Sequence, residues 1–406
     1  MVGMVNIYAL AAVGMSMQFM MVINVFMTLY IVGGNALISR FIGQRRKKRA
    51  SSLLYSLTIF ATILALGISA IVYNFSEDMY RMMGAENEVV MLGASYLKIL
   101  SLGFVLIFID SLMYNALSSA GDTKSSLYIK LFSAFLNAFL NYILIFGHFG
   151  FDAYGIEGAG YATVISYGFN LLIYFILLQK TKAKLNLIPI IRMNDLKRVW
   201  NVGWSASLER GISSLSFLLF VSIITAYGTA ELAGYQTGLR IEGIAFMPGF
   251  GFAIASMALV GQSLGQRDRE KAYKMGIISG RIAYIFMGTI GAILIFFPEF
   301  FISFFTQDSA TIAVATYYLI LVGLAQIPLA INFVYSASLR GAGATKTTLK
   351  INVFSLWFLR VIPSYIAYKI GFGIIAIFII MNIETLIKGI IYYYIYSKKR
   401  WLYSVV

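Results

Sequence analysis

The chain has no cysteine, one histidine and five prolines in 406 residues. The first absence removes disulfides, thiolate metal sites and cysteine nucleophiles together. The second leaves His148, in a short loop, as the only imidazole, so histidine-based catalysis or metal binding has no constellation to build on. No Walker A pattern or other nucleotide-binding loop occurs, and no clustered His/Asp/Glu or Ser-Lys set stands at mid-span. An enzyme, intramembrane or otherwise, is therefore not expected. No basic n-region followed by a cleavage site opens the chain, so no removable signal peptide is read. Charge is scarce at 12%, and acids are scarcer than bases, 17 against 32.

What fills the chain is apolar. Sixty per cent of it is hydrophobic and the mean hydropathy is +0.81, far from an ordinary soluble domain. Runs long enough to cross roughly 30 Å of hydrocarbon follow one another almost to the end. Eleven spans are predicted, at about 14–39, 51–75, 92–118, 126–147, 155–179, 201–227, 234–263, 274–298, 312–339, 347–368 and 371–396. The fold class is an all-α polytopic membrane protein whose first partner is the lipid bilayer.

The net charge of +15 does not mark a nucleic-acid binder. Alternate loops carry it: Arg45 to Arg49, Lys124, the Lys180/Lys182/Lys184 to Arg198 stretch, Arg267/Arg269/Lys271, Lys346, and Lys398 to Arg400. The loops between are acidic or neutral, with Arg81 and Lys369 as exceptions. This alternation places the basic loops and the C-terminus on the cytoplasmic side of a plasma membrane. The basic loops hold no stacking platform for bases.

The second half repeats the first at an offset of 222 residues. Ala11 pairs with Ala233, Gly43-Gln44-Arg45 with Gly265-Gln266-Arg267, Glu77 with Glu299, Tyr96-Leu97 with Tyr318-Leu319, and Thr123-Lys124 with Thr345-Lys346. Two similar hydrophobic halves point to a secondary transporter. Residues 1–180 read as an N-lobe of five spans, 181–199 as a basic cytoplasmic linker, and 200–406 as a C-lobe of six. Six spans return the chain to its starting side, so the repeats should be parallel. Met1 maps onto Ile223, which leaves the first helix of the repeat without a counterpart. A natural start upstream of Met1 is expected; the alternative is a truncated, inactive transporter.

Several motifs carry a family resemblance. The stretch Glu242 to Gly265 (EGIAFMPGFGFAIASMALVGQSLG), Ser338 to Gly343 (SLRGAG), Gly155 to Thr163 (GIEGAGYAT) and the two Gly-Gln-Arg loop entries resemble the multidrug and toxic compound extrusion (MATE) family over essentially the whole chain. The resemblance implies two six-helix lobes around a central cavity and export of amphipathic organic cations by alternating access. Proton or sodium re-entry would drive it, with no other cofactor. A monomer is expected.

The resemblance also implies an N-lobe cation site built from a first-helix aspartate, an Asn and an Asp one turn apart, and a Thr. Asn137 and Thr163 match it. Asn141 stands where the second acid would be, and the first aspartate would fall before Met1. Sodium could be held only by Asn137, Asn141 and Thr163, and an amide neither titrates nor adds charge. Other intramembrane charges are therefore candidates for coupling or substrate binding: Glu209 beside Arg210, Glu242 near Arg240, Asp110, whose repeat mate is Asn332, and Arg360. Pro248 should kink its helix. Glu384 and Lys388, at i,i+4, read as a local pair. Gly249, Gly251 and Gly261 read as places of close helix approach. A lipid-linked oligosaccharide flippase of the same superfamily is the alternative. It would need a cationic cavity, for which Lys98, Arg240, Arg281 and Arg360 are available.

Overall fold

The computed structural model describes residues 2–4, 6–178 and 184–404, and among them there are helices and loops but no strand. In hydrocarbon each backbone N–H needs a partner inside its own segment, which these apolar runs satisfy only as helices. Among the described residues ten helices are long and apolar enough to cross a membrane, and a bent pair brings the number to eleven if it is counted as one span.

The helices are α1 (Ile7–Gly43), α2 (Lys47–Met82), α3 (Asn87–Leu102), α4 (Phe104–Ser119), α5 (Thr123–Phe146), α6 (Gly155–Leu177) and α7 (Met193–Thr225). They are followed by α8 (Thr229–Gly265), α9 (Arg269–Phe296), the short α10 (Pro298–Ile302) and α11 (Ser309–Gly341). Last come α12 (Thr345–Phe354), a π-helical segment (Ser355–Val361), α13 (Ile362–Ile370) and α14 (Ile374–Ser397).

The offset of 222 is written into the backbone. α1 and α8 start and end 222 residues apart, α2 and α9 start 222 apart, and so do α5 and α12. Arg45 and its mate Arg267 are both left-handed (φ 58° and 63°), as are Gly121 and Gly343 (φ 92° and 84°). The same tight turns therefore close corresponding helices.

Two places break the repeat. The span expected at 92–118 is two helices, α3 and α4, bent by 56° at Gly103. A Cβ on Gly103 would lie 2.5 Å from the Val164 side chain, so only glycine fits that corner. Its mate Ala325 lies inside the unbroken α11. The second break is the π segment, which has no equivalent in α5. The left-handed glycines that end these two helices, Gly147 and Gly371, stand 224 residues apart rather than 222.

By internal contacts the chain forms two units: residues 1–34 with 45–200, and residues 35–44 with 201–406. Thr181, Lys182 and Ala183 of the expected linker, and Lys180 before it, lie outside the described residues. From Met193 onward the expected linker is already α7. Unit 1 is pinned by buried tyrosines: Tyr30 donates to the Phe108 carbonyl at 3.0 Å and Tyr80 to that of Ala12 at 2.9 Å. Unit 2 packs α8, α9, α11 and α14 around Tyr235, Tyr318 and Phe378, and around Tyr335, Tyr392 and Tyr396.

Small residues set the closest approaches in unit 2. A Cβ on Gly341 would lie 2.4 Å from the Met257 carbonyl oxygen, and one on Gly261 2.0 Å from the Ser39 hydroxyl. Gly249 is closed in by Phe333 at 2.7 Å, but Gly251 has nothing within 4 Å. The expectation of close approach at Gly251 is therefore corrected. It sits two residues from Gly249, and residues at i,i+2 do not share a helix face.

Candidate functional site

Four carboxylates lie inside the helices away from their ends: Asp110 in α4, Glu209 in α7, Glu242 in α8 and Glu384 in α14. A charge there is costly unless it is compensated, so each one's partners decide what it can do.

Asp110 is fully buried in unit 1 and pairs with the Lys130 ammonium from α5. Its other oxygen accepts from the Asn170 amide of α6 at 3.0 Å, and that amide also reaches Ser133 at 2.9 Å. Lys130 was not anticipated from the sequence. Its signal was its position, a lone lysine inside the span predicted at 126–147.

Asn137, Asn141 and Thr163 do come together in the same unit. The Asn141 amide donates to Asn137 Oδ1 at 2.9 Å, Asn137 donates to the Thr163 hydroxyl at 3.4 Å, and Thr163 donates to the Ala159 carbonyl at 2.8 Å. The chain is neutral and half-buried, and Asn141 Oδ1 is its one oxygen left without a partner. A metal cation prefers several oxygens and, in low dielectric, a negative charge. The trio supplies three side-chain oxygens but no negative charge.

In unit 2, Glu209 is saturated. It accepts from Arg340, from Asn352 at 2.5 Å and from Thr348 at 2.7 Å, so three donors from α11 and α12 hold one carboxylate. Arg210 beside it is exposed and makes no ion pair among the described residues. Glu384 is fully buried and holds more than its helical neighbour. Lys388 sits at 2.9 Å, as the i,i+4 spacing predicts, but Ser355 donates at 2.6 Å and Arg360 at 2.5 Å. The local pair is thus part of a four-residue network spanning two helices. Asn332, the repeat mate of Asp110, bonds the Thr385 carbonyl at 3.1 Å and carries no charge to its neighbours.

Glu242 differs from the other three. Its carboxylate meets the Tyr318 hydroxyl of α11 at 2.5 Å and forms no ion pair among the described residues. Around it Tyr235, Tyr318 and Phe378 pack edge to face at 5.1–5.4 Å or stack at 6.2 Å. The helix carrying it continues past Pro248 without interruption.

Of the four cations set aside for an anionic cavity, Lys98 pairs with Glu77 at 3.0 Å and Arg360 with Glu384. Arg240 and Arg281 are exposed. His148 stacks on Tyr142 with ring centroids 4.2 Å apart, a packing role.

Comparison with known proteins gives consistent matches. The MatE family model matches residues 1–143 and 206–366. The probable multidrug resistance protein NorM of Thermotoga maritima is 28% identical over 408 residues, covering 97% of this chain and 85% of that protein. The uncharacterized transporter YisQ of Bacillus subtilis is 25% identical over 401 residues, covering 97% and 88%. Among solved structures, a MOP superfamily transporter from Pyrococcus furiosus superposes with a TM-score of 0.90 at 23% identity, covering 100% of this chain and 91% of that one. An outward-facing multidrug resistance MATE family transporter superposes at 0.89 and 22%, covering 97% and 88%. At these identities the structures establish the fold.

Proposed function

Since the chain belongs to the MatE family of multidrug and toxic compound extrusion transporters, we propose that it is a secondary active exporter of amphipathic organic cations. It exchanges them for protons or sodium ions by alternating access in the plasma membrane, with its C-terminus in the cytoplasm. It works as a single chain and converts no substrate chemically.

The observation that carries the coupling is Glu242. Asp110, Glu209 and Glu384 are each held by a fixed cation of the chain itself, so gaining or losing a free cation there must first break a buried pair. Glu242 has a phenol as its hydrogen-bond partner and no ion pair among the described residues, and the nearby Arg360 is already paired with Glu384. A carboxylate in low dielectric without a basic partner favours protonation or a bound cation. Substrate and coupling ion then compete for the same negative charge, and entry of one favours release of the other. The neutral Asn137–Asn141–Thr163 chain orients helices in this reading and binds no coupling ion. Pairing of Lys98 and Arg360 with acids leaves two of the four cations that the flippase alternative needs, which favours the exporter.

The test is dye efflux in proteoliposomes under an imposed proton or sodium gradient. Wild type should respond to one of the gradients. Glu242→Gln should bind the dye more weakly and without any proton or sodium dependence in detergent, and should lose gradient-driven efflux by at least about tenfold. Gradient-driven efflux that survives Glu242→Gln would remove Glu242 from the mechanism. No response of wild type to any gradient would remove the exporter reading itself.

A further inference from the structure

The surroundings of Lys130 are those of a bound organic cation rather than of a simple salt bridge. Its ammonium pairs with the fully buried Asp110 carboxylate. It also lies 5.7 Å from the ring centre of Tyr114 on α4 and 5.4 Å from that of Tyr167 on α6. A carboxylate and two aromatic faces converging on one ammonium is how proteins hold alkylammonium ligands.

The pocket also offers more acceptors than the lysine uses. Asn170 Oδ1 is buried and unpartnered, although the same side chain's nitrogen bonds Asp110. The Tyr174 hydroxyl, one turn further along α6, is likewise buried and unpartnered. Unsatisfied buried oxygens are rare in native structures and need a reason. Meanwhile the lysine side chain is 35% exposed, while the aspartate is not exposed at all. The occupant reaches in from the edge; the site itself lies deeper.

We propose that the Asp110 pocket of unit 1, formed by Asp110, Asn170, Tyr114, Tyr167 and Tyr174, is a binding site for a primary ammonium, and that Lys130 is its tethered occupant. The chain thus fills with its own side chain a site that a free cation could take. This assignment rests on unit 1 alone and stands or falls separately from the transport reading.

Replacing Lys130 by alanine removes three methylenes and the ammonium, the atoms of n-propylammonium. The experiment is thermal unfolding of purified Lys130→Ala in detergent, with n-propylammonium, with neutral n-propanol, and with sodium, all at matched chloride. The expected result is a melting temperature raised by about 5 °C at saturating n-propylammonium, with little change from propanol. Wild type, its site already filled, should not respond, and neither should Asp110→Asn/Lys130→Ala. A response to propanol equal to that of the ammonium would show cavity filling and overturn the proposal. So would a response only to sodium that wild type does not share, an equal ammonium response in the double variant, or none in folded Lys130→Ala. If Lys130→Ala is recovered folded only when extracted in n-propylammonium, that is itself the expected rescue. A variant unfolded with and without it overturns the proposal.

Discussion

Ser355 and Arg360 stand five residues apart on one helix and donate to opposite oxygens of the same carboxylate, Glu384, at 2.6 and 2.5 Å. In a regular α-helix, residues five apart point about 140° away from each other. The π segment Ser355–Val361 widens the turn and brings both onto the face of α14. With Lys388, this makes one buried acid and two cations.

The asymmetry of that network predicts an order of stabilities. Glu384→Leu strands two cations at once, whereas Arg360→Met leaves the carboxylate with Lys388 and Ser355. Removing one partner of a buried pair costs about 3–5 kcal/mol, so Glu384→Leu should reach that range and Arg360→Met should fall short of it. Thermal melts of both variants in detergent check the order; equal losses would contradict the shared network.

Glycine positions divide by contact. Gly341→Ala places a methyl 2.4 Å from the Met257 carbonyl oxygen and must push α8 and α11 apart. A cost of about 1–3 kcal/mol is expected. Gly251→Ala meets open space within 4 Å, and should be neutral or stabilise by up to about 1 kcal/mol through helix propensity. The melting temperature of Gly341→Ala should fall, and that of Gly251→Ala should hold or rise.

Asp308 caps α11, accepting from the Thr311 backbone at 2.8 Å and its hydroxyl at 2.6 Å. These bonds, the hydroxyl's first, hold its carboxyl below the ordinary aspartate range. A depressed folded value means that the stability it contributes is present above the unfolded value and lost as pH falls through the folded one. The melting-temperature difference between wild type and Asp308→Ala should therefore be constant near neutrality and close only in acid. A difference that persisted unchanged into strong acid would show that the charge is not what caps the helix.

Asn141→Asp restores to unit 1 the charge its amide chain lacks. The new carboxylate sits one turn from Asn137, which itself reaches Thr163, with the Asn137 amide free to turn and donate. In a Glu242→Gln background, sodium should then raise the melting temperature of the Asn141→Asp variant and leave its Asn141 parent unchanged. A sodium response in that parent would mean that the neutral trio already binds the ion.

Much of the fold was legible because the bilayer allows so few alternatives. Eleven apolar runs had to be helices, and the matching turn sequences at Gly43-Gln44-Arg45 and Gly265-Gln266-Arg267 had to close them alike. The bend at Gly103 was not legible, since a glycine in an apolar run is more often packing than a corner. Asp110, Glu209, Glu242 and Arg360 stood out as charges in hydrocarbon. Which of them is already neutralised did not, because Lys130, Arg340 and Tyr318 reach their acids across 20, 131 and 76 positions of sequence. Asn137, Asn141 and Thr163 were joined only by resemblance, and the structure brings them within hydrogen-bond reach.

The π segment also bears on how the two halves have diverged. One π turn adds a residue without lengthening the helix by a full turn, and rotates everything beyond it by about 100°. The two halves keep their 222-residue register up to Ser355, whose mate is Ser133, and lose it before Gly371. A duplicated helix can therefore change which side chains it shows its neighbours by slipping phase, with no substitution at the affected positions. Any alignment of one half onto the other has to open a gap there. Residues in and beyond the segment, Arg360 among them, have no repeat mate to be found by counting.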